Sequence, residues 1–476
     1  MNLFRSSLLS LILAASPLAS SDINLPSIGD SSSGIVSTQK EKELGQVFLK
    51  MLHNRVQTNN DPELVSYVES LVYQLAESSQ LTDRNLSIVL IESPQLNAFA
   101  APGGVIGINT GLFLYARTEE EFAGVIAHEL AHLSQRHYAR GVETAKRQAL
   151  PTMAALLGSV VLAASGAGDL GAAALSTTIA GAQSSQLAFS RDNEREADRV
   201  GILTMVRANM DPRAMAGLFE RMSKLDGSNP QYEFLRTHPT SRNRVADTRS
   251  RAEQYPARKR RDQTNYQLMR NRAFLSLSSS TDQARIRFKE EVETGHSSSL
   301  TASKYGYAQV LLDSQDAKSA APYAKELLKQ APNNIYYRIL NSRIEFENGS
   351  RDQAIKSLQE LLSDNPGNYP AIMTQADLLF KDKQFRKATN ILKAESKKRP
   401  QDPYIWYQLA EISGLAGDIA TVHTSRAEHF FLVGQMDKSI LQLQYATELP
   451  GLPFSQKAAI RQRIEEVKHF KKAMQL

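Results

Sequence analysis

Pro332, Pro366 and Pro400 stand 34 residues apart. Ala320, Ala354 and Ala388 keep the same period, each twelve residues ahead of its proline. Ala324, Leu358 and Leu392 form a third line in phase with them. Small residues belong where helices cross closely, and a proline belongs after a helix that must stop. A pair of short helices cannot bury its apolar face alone, so repeated pairs must stack side by side. The period therefore commits this part of the chain to an α-solenoid.

A 34-residue unit of this kind is the tetratricopeptide signature. The clear units are 301–334, 335–368 and 369–402, and a degenerate pair covers about 262–296. More irregular helices follow from Asp402 to the end. The expected organisation is a signal peptide (1–21), a catalytic domain (22–250), a linker with a degenerate helical repeat (251–300) and tetratricopeptide repeats (301–476). A length of 476 residues fits two or three domains.

The chain ahead of the repeats has a different texture. Arg5 precedes an apolar run, Leu8 to Ala15, that is about half a membrane span long. Small residues follow at Ala19, Ser20 and Ser21, so the start reads as a cleaved export signal. There is no cysteine. Disulfides, thiolate metal sites and a lipid-anchored cysteine are excluded, and an oxidising compartment such as the periplasm is suited. The formal charge of +6 is small for this length and no nucleic-acid motif accompanies it.

Asp61-Pro62 reads as an N-cap followed by proline at the first helical position, opening a helix to about Glu77. Leu86 to Ser93 reads as a strand. Asn97 to Gly111 reads as two short strands joined at Pro102-Gly103-Gly104. Thr118 and Glu121 have capping-box spacing. Ala149 to Ser165 is uncharged for seventeen residues but contains Pro151 and Gly158. It reads as closely packed helices, and leaves room for peripheral membrane contact. The expected fold class is mostly α with a small β-sheet: a zincin-type metalloprotease domain followed by the solenoid.

The helix begun at Thr118 carries VIAHELAHLSQRH, Val125 to His137, with three of the nine histidines. His128 and His132 are four apart, which puts both imidazoles on one helical face at the spacing one Zn²⁺ needs. Glu129 follows the first histidine and can take a proton from water and hand it to a leaving amine. This is the H-E-x-x-H pattern. A third protein ligand must come from elsewhere. His137 is five after His132, lies well round the helix from the pair, and reads as a surface residue. In SRDNEREADRVG, Ser190 to Gly201, Glu194 and Asp198 share a face; Glu194 can complete a His₂Glu site and Asp198 can orient a ligand imidazole. Glu196 points elsewhere. In RTHPTSRNR, Arg236 to Arg244, His238 precedes a proline. Either it is a loop histidine packed near the site, or it supplies a fourth imidazole that displaces the catalytic water and keeps the enzyme latent.

HELAH, EREAD some sixty residues later and NAFAAPGG upstream together resemble the zinc metallopeptidase family of the CAAX-prenyl proteases and the membrane protease HtpX. The resemblance implies one Zn²⁺ held by His128, His132 and Glu194, with Glu129 as general base and Asp198 in support. Exported members of this kind that carry repeats imply a periplasmic endopeptidase with chaperone-like activity. Their implied partners are outer-membrane β-barrel precursors and the assembly machinery, reached through the repeats. The strand Asn97, Ala98, Phe99, Ala100 is either a core strand or an edge on which an extended substrate pairs. The competing reading is a chaperone or adaptor with latent or minor protease activity.

Overall fold

The computed structural model describes residues 37–144, 190–225, 229–259 and 261–474. The expected signal peptide and the 149–165 stretch lie outside them. Helix α1 spans Thr38–Arg55 and α2 spans Pro62–Ser78. The Asp61 carboxylate accepts from the amides of Glu63 and Leu64, so proline at the first position costs no hydrogen bond.

Three strands follow: β1 (Ser87–Ile91), β2 (Ala98–Ala101) and β3 (Val105–Asn109). Their order is β1-β3-β2, with β1 parallel and β2 antiparallel to β3. Gly103 and Gly104 turn the hairpin at φ 78° and 80°, a region that glycine enters freely. β2 is therefore an edge strand. Asn97 O accepts from Asn109 N on β3. Alternation along an antiparallel pair then turns the backbone groups of Ala98 and Ala100 away from β3.

A short helix α3 (Leu112–Tyr115) leads to α4 (Glu119–Ser134), where Thr118 Oγ1 accepts from Glu121 N. Glu121 closes this end through Arg117 N rather than through the cap residue itself. Next come α5 (His137–Thr144), α6 (Arg191–Arg207), α7 (Arg213–Met222), α8 (Glu233–Thr237) and α9 (Arg242–Glu253). Phe122, Val125, Ile126 and Leu130 on α4 are fully buried in a core shared with α2 and α7.

The degenerate pair is α10 (Thr264–Leu277) and α11 (Thr281–Thr294). Three regular pairs follow: α12 (Leu300–Asp313) with α13 (Ala317–Gln330), α14 (Ile335–Glu347) with α15 (Arg351–Asp364), and α16 (Tyr369–Lys381) with α17 (Phe385–Lys398). Ala320, Ala354 and Ala388 are each 0% exposed, as helix crossings require. The pattern runs further than the sequence markers do. α18 (Pro403–Leu415) and α19 (Ile419–Leu432) repeat the same pair dimensions. Here Val422 stands in the alanine line and Gly434, at φ 76°, stops the helix where earlier units use proline. α20 (Met436–Glu448) and the longer α21 (Phe454–Met474) end the solenoid.

The solenoid docks on the catalytic domain at both ends. Near its start, Tyr266 and Tyr305 enter the same core as Leu64 and Tyr67 of α2. Arg272 there pairs with Asp61 at 2.6 Å and Glu63 at 3.1 Å, and Tyr305 donates to Glu63 at 2.7 Å. Near its end, Lys50 Nζ of α1 lies 3.8 Å from the Phe431 ring centre and 5.0 Å from that of Phe470. Among the described residues, no helix is long and apolar enough to cross a membrane.

Candidate metal centre

α4 and α6 pack tightly because Gly201 has no side chain. A Cβ there would sit 3.3 Å from the Ala127 carbonyl carbon and the His128 amide nitrogen. That approach brings the short carboxylates of Glu194 and Asp198 to the histidine face of α4.

His128 Nε2 and His132 Nε2 lie 3.0 Å apart. Glu194 lies 3.5 Å from His128 Nε2 through Oε2 and 3.5 Å from His132 Nε2 through Oε1. His238, at the end of α8, brings Nδ1 to 3.3 Å from His128 Nε2 and 2.9 Å from Glu194 Oε1. One ligand atom from each of the four residues lies within 4.8 Å of the other three, and all four residues are buried. Tetrahedral zinc bonds of about 2.0–2.1 Å would place their ligand atoms about 3.3 Å apart. The observed spacings, and a donor set of imidazole nitrogen and carboxylate oxygen, fit one zinc ion.

Glu129 is 1% exposed and its Oε1 lies 3.5 Å from His238 Nε2. Its carboxylate accepts the amide of Ala100, one of the two β2 groups turned away from β3. Burial pushes the Glu129 carboxyl above the usual range, against the pull of His238 and His128. A raised carboxyl is better matched to taking and returning a proton near neutrality.

A second layer holds these groups. Asp198 Oδ1 lies 3.0 Å from His128 Nδ1. Arg244 binds Asp198 through Nε at 2.5 Å and Nη2 at 2.8 Å, and reaches Glu194 Oε2 with Nη1 at 2.5 Å. Burial opposes ionisation of Asp198, but the Arg244 fork outweighs it and keeps that carboxyl low. Burial likewise opposes ionisation of Glu194, and its contacts with His238, His128 and the Arg244 guanidinium hold it well below the usual range.

His137 departs from expectation. It is 1% exposed, with Nδ1 2.9 Å from His132 Nδ1 and Nε2 3.1 Å from Glu196 Oε2. The surface reading assumes a continuous helix. Arg136 instead takes φ 51°, ends α4 and starts α5 back toward the site. Burial lowers the His137 pKa to about 4. Glu196 does face away from the four-residue cluster, yet it engages His137 and Arg140. Arg244 is the further residue that the sequence does not single out; its only signal is its place six residues after His238 in a Pro-containing loop.

Residues 62–252 match Peptidase family M48, and residues 345–412 match a tetratricopeptide repeat family. The putative beta-barrel assembly-enhancing protease of Vibrio cholerae is 32% identical over 447 residues, spanning 94% of this chain and 92% of that protein. The beta-barrel assembly-enhancing protease of Escherichia coli K12 is 29% identical over 455 residues, 95% of this chain and 93% of that protein. Mitochondrial metalloendopeptidase OMA1 of Schizosaccharomyces pombe is 31% identical over 183 residues, 38% of this chain and 50% of that protein. With a buried centre built for one metal ion and similarity that runs nearly end to end, this chain is a metalloendopeptidase and belongs to peptidase family M48.

Proposed function

We propose that this enzyme acts in the periplasm on outer-membrane β-barrel precursors, cleaving them or assisting their assembly, with the repeats engaging clients and assembly machinery. The names of its full-length relatives support the process. The apolar leader and the lack of cysteine support export. His128, His132 and Glu194 hold the zinc, Asp198 supports His128, and Glu129 is the general base. The single observation carrying this reading is the convergence of those ligand atoms beside a buried carboxylate that is hydrogen-bonded to an edge strand.

When bound, the ion supplies a Lewis acid that polarises the scissile carbonyl and acidifies a water molecule. Glu129 accepts the proton from that water and returns it to the leaving nitrogen. An extended substrate pairs along Asn97–Ala100 of β2 by taking over the Ala100 amide that Glu129 now holds, which sets its carbonyl beside Glu129. Unfinished barrels expose unpaired strand edges, so they match this mode of capture. Glu129→Gln is expected to abolish cleavage of a denatured protein substrate while zinc content and thermal unfolding stay at the parental level. Full cleavage by that variant would overturn the assignment of the base.

His238 favours a second reading. Its Nδ1 stands among the ligand atoms, and as a fourth ligand it would fill the position that a catalytic zinc keeps open for water. On this reading the protease is latent and the repeats do most of the work as chaperone or adaptor. Cells that tolerate Glu129→Gln but suffer from loss of 301–402 would support it.

A further inference from the structure

We infer that His137 is a positioning residue that relays the Glu196 carboxylate to His132, fixing the tautomer and ring direction of that ligand. The inference rests on the reading that His132 binds zinc through Nε2.

Two ring nitrogens 2.9 Å apart need one proton between them. The Nε2 atom of His132 is the one that faces His128 and Glu194, so it must offer a lone pair and the His132 proton must sit on Nδ1. That N–H then donates to His137 Nδ1, which must be bare. The His137 proton is thereby forced onto Nε2, which faces Glu196 Oε2 at 3.1 Å. Arg140 Nη1 donates to the same oxygen at 2.8 Å and keeps it an anion. These contacts assign one tautomer to each of the two rings.

The other ligand histidine is held by the same logic with one link fewer. His128 Nδ1 meets Asp198 directly, and Arg244 backs the carboxylate. Glu196 lies two residues before Asp198 on α6, on a different face of that helix. It does not take up His132 directly; the His137 imidazole spans the gap. The left-handed residue Arg136 is what delivers that imidazole to the inside of the site.

Partners of this kind, when removed, typically weaken metal holding about 10–100-fold. The test uses the full-length zinc-loaded protein and follows zinc transfer to a chromogenic chelator. His137→Leu is expected to release zinc about 10–100-fold faster than the parent. His137→Asn presents a side-chain oxygen where Nδ1 stood and should stay within a few-fold of the parent. Glu196→Ala keeps the imidazole but removes its carboxylate partner, and should fall between the two. Spectra of ¹⁵N-histidine protein should show His137 as the Nε2–H tautomer. Parental release by His137→Leu, equal release by the Leu and Asn variants, or an Nδ1–H tautomer would each overturn the relay. If His137→Leu does not fold, the Asn and Glu196→Ala rates and the tautomer decide. A parent that binds no zinc defeats the metal assignment itself, whereas a zinc-bound parent with indifferent variants defeats the relay alone.

Discussion

Arg244→Leu separates two jobs that this arginine performs. Its guanidinium neutralises Asp198 and Glu194, and its planar fork also aims them. Both carboxylates and the arginine are 4% exposed or less at the side chain. Removing one partner of a buried pair typically costs about 3–5 kcal/mol, because the other charge is left uncompensated. For a domain of roughly 200 residues, each kcal/mol moves the melting midpoint by about 2–4 °C, so a drop on the order of 10 °C is expected. The zinc-free form should fall further than the loaded form. Without zinc, Glu194 loses the guanidinium that faces its Oε2; with zinc, the ion replaces the guanidinium, and only Asp198 stays short of a partner. Calorimetry on chelator-treated and zinc-loaded protein near pH 7 reads both midpoints. Arg244→Lys keeps the charge without the fork and should recover part of the loss. Equal falls in the two forms, or a larger fall with zinc, would show that aiming rather than charge balance is the role of Arg244.

Three other outcomes follow from the same geometry. His238→Ala should raise cleavage of a denatured substrate with zinc retained, by opening the position that His238 Nδ1 now takes; an unchanged or lower rate at full zinc content counts against latency. Gly201→Val should force α6 off α4, cost about 1–3 kcal/mol and loosen zinc, with Gly201→Ala milder; parental stability and zinc retention in the Val variant would refute the close-approach argument. Burial, with Arg463 nearby, lowers the Lys50 pKa to about 8. The folded state then binds fewer protons than the unfolded state between about pH 8 and 10.5, so Lys50 makes stability rise with pH across that window. Lys50→Met should therefore melt later than the parent at pH 7 and lose that advantage by pH 10; a variant that melts earlier at pH 7 would show that the Phe431 contact outweighs desolvation.

The repeats are legible because their constraint is local and recurs. An alanine at each crossing and a proline after each second helix are independent marks of one geometry, and three copies fix the phase. The markers fail at 403–432 for a plain reason. Val422 and Gly434 satisfy the same demands, a modest side chain at a crossing and a helix stop, with different residues. The hairpin Asn97–Gly111 is readable from its glycines, but the place of β2 at the outside of the sheet depends on β1 pairing with β3, which skips β2 in sequence. Docking of the solenoid on α2 is carried by Arg272 with Asp61 and Glu63, some 210 residues away, and nothing in the sequence marks them as belonging together.

The metal centre shows the same divide at shorter range. His128 with His132, and Glu194 with Asp198, each sit one helical turn apart, so a period read along the chain puts each pair on one face. What joins the two pairs is a helix crossing, and its only trace is Gly201, one glycine in an otherwise ordinary helix. His137 is harder still. A left-handed turn is normally announced by glycine or asparagine, yet here arginine takes it at φ 51°. With that turn unmarked, helical arithmetic carries His137 round to the wrong side, and Glu196 loses its reason to matter. His137 and Glu196 thus escape a sequence reading because their meeting hangs on a single unannounced backbone angle. They are also the ones that give His132 a defined proton.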